Sequence, residues 1–291
     1  MAEHHEFDDS GIDIWTEQES FEVTRERIAD YAAATNDPIE AHRSGDIASP
    51  VFSIVPVFET MIAPAFDVFP IAAIPRIVHG EQDFHYIRAL RPGDKLLTRA
   101  KMTGYEGLDN GTAATTLLET RTVDGELVGT QYVTSFARGI NAGKTIGTLA
   151  PAHRFDETLR AQPPVATVAQ QVDQDQTFRY AGPSGDPNPI HLDDEVAKDL
   201  GLPGIINHGL CTMAFTSWAV LTTVAASDVR RLKRFAVRFA KPVLPGQPME
   251  TVIWRRSSEN GETAYQFETT VNGEVVVKDG LAVIVDVAAI G

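Results

Sequence analysis

Apolar and polar positions alternate along two stretches of the chain, Leu96-Leu-Thr-Arg-Ala-Lys-Met and Met249-Glu-Thr-Val-Ile-Trp. A period of two predicts strands with one face buried. Each stretch follows a Pro-Gly pair, Pro92-Gly93 or Pro245-Gly246. Each is followed by turn signals: Asp109-Asn-Gly111 and Asp124-Gly125 in the first case, Glu259-Asn-Gly261 and Asn272-Gly273 in the second. Such dipeptides between alternating runs predict antiparallel hairpins. A different pattern runs from Gly209 to Ala226, where apolar residues are nearly continuous and are diluted only by Thr212, Thr216, Ser217, Thr222 and Thr223. This run predicts a helix from His208 to Ala226, roughly 28 Å long at 1.5 Å per residue. Its hydroxyls and its length favour a core helix over a membrane span.

The pattern occurs twice. Tyr31-Ala-Ala-Ala-Thr-Asn-Asp37-Pro38 answers Tyr180-Ala-Gly-Pro-Ser-Gly-Asp186-Pro187, and His follows each Asp by five residues, at His42 and His191. Tyr86-Ile-Arg-Ala-Leu-Arg-Pro92-Gly93 answers Phe239-Ala-Lys-Pro-Val-Leu-Pro245-Gly246 in the same order. Each copy therefore reads as a loop, a long apolar helix and a meander of strands. A helix apolar on every side needs cover on every side, and a curved antiparallel sheet wrapped about it supplies that cover. The fold class expected is α+β, a double hot-dog. Its parts are an acidic, loose tail over residues 1–12, a first hot-dog over 13–140, a linker over 141–168 rich in Gly and Pro, and a second hot-dog over 169–291.

Candidate chemistry lies in Tyr180-Ala-Gly-Pro-Ser-Gly-Asp186-Pro-Asn188-Pro-Ile-His191, where three prolines break helical structure and Gly185 permits an unusual turn. A carboxylate and an imidazole on a stiff loop can both face one water. The same residues also suit a plain turn, with Asp186 and Asn188 capping and His191 opening the next helix. Asn207-His208-Gly209 sits where the long helix begins. The N–H of Gly209 is then a first-turn donor at the positive end of the helix dipole, able to hold a thioester oxygen.

The string Ser184-Gly-Asp-Pro-Asn-Pro-Ile-His191, with His208-Gly209 behind it, resembles the signature of MaoC-like, type 2 (R)-specific enoyl-CoA hydratases. Val78-His79-Gly80-Glu81-Gln82, Leu90-Arg-Pro-Gly93 and Val237-Arg-Phe-Ala-Lys-Pro-Val-Leu-Pro-Gly-Gln247 are similar to the hydratase portion of peroxisomal multifunctional enzymes type 2, and the likeness covers nearly the whole chain. The resemblance implies Asp186 and His191 as the acid/base pair, Gly209 N–H as the oxyanion donor and Asn188 in support. Tyr180, Gly185 and His208 fall among the expected substrate contacts. No metal or redox cofactor is implied. Pro183 departs from the family pattern, which more often has an aliphatic residue there.

The first half reads as degenerate. Ala48-Ser49-Pro50 stands opposite Asn207-His208-Gly209, Pro50 has no N–H to offer, and Ile39 replaces Asn188. Val51–Phe58 with Met61-Ile62 is apolar and broken by Pro56, and the resemblance suggests that it accommodates an acyl tail.

Composition narrows the partners. With 25 Lys plus Arg against 40 Asp plus Glu, the net charge of −15 repels nucleic acid and anionic membranes. Against that background, Arg230-Arg231-Leu-Lys233-Arg234 with Arg238 and Lys241 is the densest basic patch and the candidate for binding coenzyme A phosphates. Cys211 has no intrachain partner, and the first residues lack the features of a signal peptide. The Ala288-Ala289-Ile290-Gly291 end carries no peroxisomal tripeptide, so the chain reads as cytoplasmic. The leading expectation is reversible hydration of an enoyl-CoA, a 3-hydroxyacyl-CoA dehydratase of fatty acid or related metabolism. The rivals are the same chemistry on acyl carrier protein, thioester hydrolysis on the same scaffold, and a silent acyl-CoA-binding module. A monomer and a homodimer are both open.

Overall fold

The computed structural model describes residues 2–286, so the C-terminal residues 287–291 read above lie outside the described residues. The chain forms two compact units, one of Met1–Glu22, Pro56–His85 and Lys95–Ala152, the other of Val23–Val55, Tyr86–Asp94 and His153–Gly291. These units do not follow the repeat boundary. The loop and short helices that open the first repeat fold with the second unit, where Tyr31 Oη lies 3.0 Å from Tyr180 Oη and Arg179 donates to the Ala33 carbonyl.

In the first unit, strands β1 (Glu19–Glu22), β2 (Ile77–Tyr86), β3 (Lys95–Leu108), β4 (Gly111–Thr122) and β5 (Leu127–Arg138) lie in the order β1-β3-β4-β5-β2. The alternation that predicted β3 is realised, since Leu96, Thr98, Ala100 and Met102 are buried while Lys95, Leu97, Arg99 and Lys101 between them are not. The N-terminal segment corrects the expectation of a loose tail. Phe7 is buried between Phe69 and Tyr105, with ring centroids 5.1 and 5.0 Å away. Phe7 is the apolar anchor of this acidic segment, and the N–H groups of Glu3 and Asp8 add to it by donating to the Gly139 and Val68 carbonyls.

In the second unit, β6 (Ala166–Gln171), β7 (Leu232–Phe239), β8 (Pro248–Glu259), β9 (Glu262–Val271) and β10 (Glu274–Val285) form an antiparallel sheet in the order β7-β10-β9-β8-β6. Asn260-Gly261 and Asn272-Gly273 join its hairpins with φ of 54° and 76°, and of 50° and 80°. Two positive φ values in succession are the geometry that Asn-Gly tolerates. β6 begins at Ala166, inside the segment read as linker, because it pairs with β8 across the Val252–Thr167 register.

The Gly209–Val224 helix packs against four of these strands, and its residues from Leu210 to Ser217 are all buried. Its hydroxyls cause no polar penalty. Thr216 donates to the Met213 carbonyl and Ser217 to the Ala214 carbonyl, at 2.7 and 2.8 Å. The helix is shorter than expected, with His208 as an extended N-cap and Ala226 at φ 53°. Its counterpart in the first repeat is not one α-helix but a 3₁₀ segment, Pro50–Val57, followed by an α-helix, Phe58–Val68, with Pro56 beside the junction. Together these 19 residues are apolar and long enough to cross a membrane by length and composition alone.

Candidate active site

A helix, Gln176–Ser184, delivers the chain to the site and stops at Gly185, whose φ of 79° is the left-handed cap that glycine adopts without strain. Pro183 therefore lies in the last helical turn rather than in the loop, where its carbonyl accepts a hydrogen bond from Arg27 Nε at 3.3 Å. Beyond the cap the loop is held by its own side chains. Asp186 Oδ1 accepts the N–H of Asn188 at 3.1 Å, and Asn188 Oδ1 accepts that of Ile190 at 3.3 Å. The turn-capping role weighed for both residues is thus present. For Asp186 it occupies one oxygen and leaves the carboxylate free to act. The next helix, Asp194–Asp199, is capped by Asp193 and not by His191, which ends a 3₁₀ turn, Pro189–His191.

His191 is buried, and its Nδ1 lies 2.8 Å from the Ile206 carbonyl oxygen. A carbonyl only accepts, so Nδ1 carries the hydrogen and Nε2 is a bare lone pair in the neutral ring. His208 is 1% exposed, and its Nε2 lies 3.2 Å from the Asp186 main-chain oxygen and 4.0 Å from Oδ2. By the same logic its Nε2 donates. Ligand atoms of Asp186, His191 and His208 all lie within 4.8 Å of one another. That separation lets a water touch Asp186 and His191 together. A shared metal fits poorly, because the two imidazoles are stacked, with centroids 3.8 Å apart and planes 28° apart. Their in-plane lone pairs do not converge on one point.

Burial opposes charge on every member of this cluster. It raises the Asp186 pKa above the ordinary carboxylate value, against the pull of His191 and of the Asn188 N–H. It lowers that of His191, against the hydrogen bond to Ile206 and the charge of Asp186. It lowers that of His208 to about 3, with His191 adding to the effect. The two catalytic candidates are therefore drawn toward each other in pKa, which suits a pair that passes protons.

Gly209 is the first residue of the Gly209–Val224 helix, so its N–H has no acceptor within the helix. A Cβ there would meet the Phe239 ring at 3.4 Å, an ordinary contact. The glycine is thus not required by packing, and its lack of a side chain leaves the amide open to close approach.

The remaining candidates scatter. Asn188 is exposed and spends its oxygen on the cap. Tyr180 is 1% exposed, with its hydroxyl at that of Tyr31 and its ring 4.8 Å from His208, so it supports the site from beneath. The basic patch is largely engaged: Arg230 pairs with Asp228 at 2.6 Å, Arg231 donates to the Val285 carbonyl, and Lys241 pairs with Glu274 at 2.8 Å. Arg234 and Arg238 are half-buried on β7. In the first repeat the matching dyad turns inward. His42 Nδ1 lies 2.7 Å from Asp37 Oδ2, both wholly buried, whereas His191 uses that nitrogen on a carbonyl fifteen residues away. The Ile206 carbonyl was missed from sequence, since a main-chain acceptor leaves no mark on residue identity.

Comparison with known proteins gives a consistent result. Residues 155–277 match the MaoC like domain, and residues 10–131 match the FAS1-like dehydratase domain region. A Dictyostelium discoideum protein described as "Probable enoyl-CoA hydratase 2" is 30% identical over 72% of this chain and 70% of its own. The peroxisomal multifunctional enzyme type 2 of Drosophila melanogaster is 34% identical over 72% of this chain, which spans a third of that enzyme. Among solved structures, a MaoC-like dehydratase from Phytophthora capsici superimposes with a TM-score of 0.84 at 25% identity, covering 96% of this chain and 98% of that one. The likeness to solved structures bears out the double hot-dog architecture.

Proposed function

The chain belongs to the MaoC-like dehydratase family, and we propose that it adds water reversibly across the 2,3 double bond of a (2E)-enoyl-CoA to give a (3R)-3-hydroxyacyl-CoA. One observation carries the reading: ligand atoms of Asp186, His191 and His208 lie within 4.8 Å of one another, His191 Nε2 is the bare nitrogen of its ring, and the open N–H of Gly209 follows His208 directly in the chain. In hydration, the water oxygen bonds to C3 and its proton passes to the pair. The pair returns a proton to C2, so its own charge is unchanged when the product leaves. Negative charge that develops on the thioester oxygen meets the Gly209 N–H at the positive end of a helix. In comparable sites such a donor is worth about 3 to 4 kcal/mol.

No electron changes hands in this sequence, so the reading calls for no redox group. Arg234 and Arg238 are the proposed contacts of the coenzyme A phosphates, with Lys241 available to them once it leaves Glu274. The apolar, proline-broken segment of the first repeat is the proposed acyl-tail site, and the cytoplasm the proposed compartment.

The test is the loss of the conjugated enoyl absorbance with purified protein and (2E)-enoyl-CoAs of several lengths, with chiral analysis of the product. Carrier-protein thioesters and free-thiol release are measured in parallel. Formation of the (3R) product supports the reading. Turnover of the carrier-linked substrate alone, thiol release, or binding without turnover would each replace it.

A further inference from the structure

His208, expected from the sequence among the substrate contacts, touches the residues of the site itself. Its ring lies 3.8 Å from that of His191 on one contact and 4.8 Å from that of Tyr180 on another. Its Nε2 donates to the Asp186 carbonyl across 22 residues of sequence. Its backbone is the N-cap of the Gly209–Val224 helix, so the side chain is fixed at its root by the element that presents the Gly209 N–H. At 1% exposure it cannot be a solvent-facing contact for coenzyme A. We propose that His208 is a positioning residue, which sets the spacing between Asp186 and His191 by stacking on one and hydrogen-bonding the main chain of the other.

This proposal rests on the hydratase reading for its kinetic consequence but not for its structural one. The titratable groups around the ring are Asp186, His191 and Tyr180. Burial raises the Tyr180 pKa well above its ordinary value, so it adds no charge near neutrality. His208 itself stays neutral above about pH 3. It can thus hold the pair without placing a cation against His191. A lysine or arginine in its place would do so and would repel the protonated ring.

The donor and the ring face can be separated. His208→Phe keeps an aromatic surface for His191 and removes the donor, whereas His208→Gln places an amide N–H at the reach of Nε2 and removes the ring. One hydrogen bond of this kind corresponds to roughly a three- to tenfold effect. In His208→Phe, kcat is expected to fall by about that factor with KM unchanged within about twofold, and in His208→Gln most of it should return. The second readout needs no turnover: the ¹⁵N resonance of the His191 ring, titrated against pH. Loosening of Asp186 removes a neighbouring negative charge, so the His191 pKa should drop in the Phe variant and recover in the Gln variant. An unchanged His191 titration in both variants overturns the proposal, whatever the activity. A rise in KM at constant kcat also overturns it, since that marks a substrate contact. If the unaltered protein hydrates no enoyl-CoA while the titration shifts as expected, the hydratase reading fails and the positioning role stands.

Discussion

Replacing Asp186 with Asn changes one atom in the proposed chemistry and almost nothing in the packing. The amide keeps an oxygen where Oδ1 accepts the Asn188 N–H, and it matches the carboxylate in shape. What it loses is the ability to take a proton from water. General-base catalysis contributes about 10²- to 10⁴-fold, or roughly 3 to 5 kcal/mol of barrier, so kcat should fall by that range. Stability should move the other way. Burial raises the folded-state pKa of Asp186 above its ordinary value, so the ionised side chain is disfavoured in the folded protein at pH 7. Asn carries no such penalty. The variant should therefore melt at the parent temperature or higher at pH 7, and the difference should vanish below the unfolded carboxylate pKa, where both side chains are neutral. Initial rates from enoyl absorbance, paired with thermal melts at pH 7 and pH 3.5, read both effects. Activity within tenfold of the parent would refute the base assignment. A melting point several degrees lower at pH 7 would refute the account of burial, and the lost rate would then reflect unfolding.

Gly209→Pro copies Pro50 of the first repeat: proline is well tolerated at the first helical position but has no N–H, so the helix should persist while kcat falls about 10²- to 10³-fold. Tyr180→Phe leaves the buried Tyr31 hydroxyl without its partner at 3.0 Å, and denaturant melts should show a loss of about 1 to 2 kcal/mol with KM unchanged. His208 is disfavoured as a cation in the folded state, so it stabilises above the unfolded histidine pKa, and this contribution is lost as pH falls. With a folded pKa of about 3, it should account for roughly 2 kcal/mol of lost stability between pH 6.5 and pH 5. Melts of His208→Gln should lack that slope. Burial likewise lowers the pKa of His191, so the acid limb of kcat/KM should lie below the ordinary histidine value. A limb above pH 7 would show that burial does not hold the His191 pKa down.

Local sequence determined the parts of this protein that depend on a few neighbouring residues. Asn260-Gly261 and Asn272-Gly273 make hairpins because few other pairs accept two positive φ values. The even apolar content of Leu210–Leu221 made it a helix covered on all sides, and the Tyr, Asp and His spacing marked a repeated loop. Local reading failed where a distant partner decided the outcome. Phe7 looked like part of a polar tail until Phe69 and Tyr105 enclosed it, Ala166 looked like linker until β8 paired with it, and Pro183 sits inside a helix that only Gly185 ends. The difference between the two dyads is of the same kind. Asp37 and His42 match Asp186 and His191 in identity and spacing, yet one pair closes on itself and the other stays open. The second pair has a carbonyl at Ile206 to fix the imidazole tautomer and His208 stacked against its ring, and both are brought there by the tertiary fold. A tautomer is set by contacts through space, which spacing along the chain does not encode.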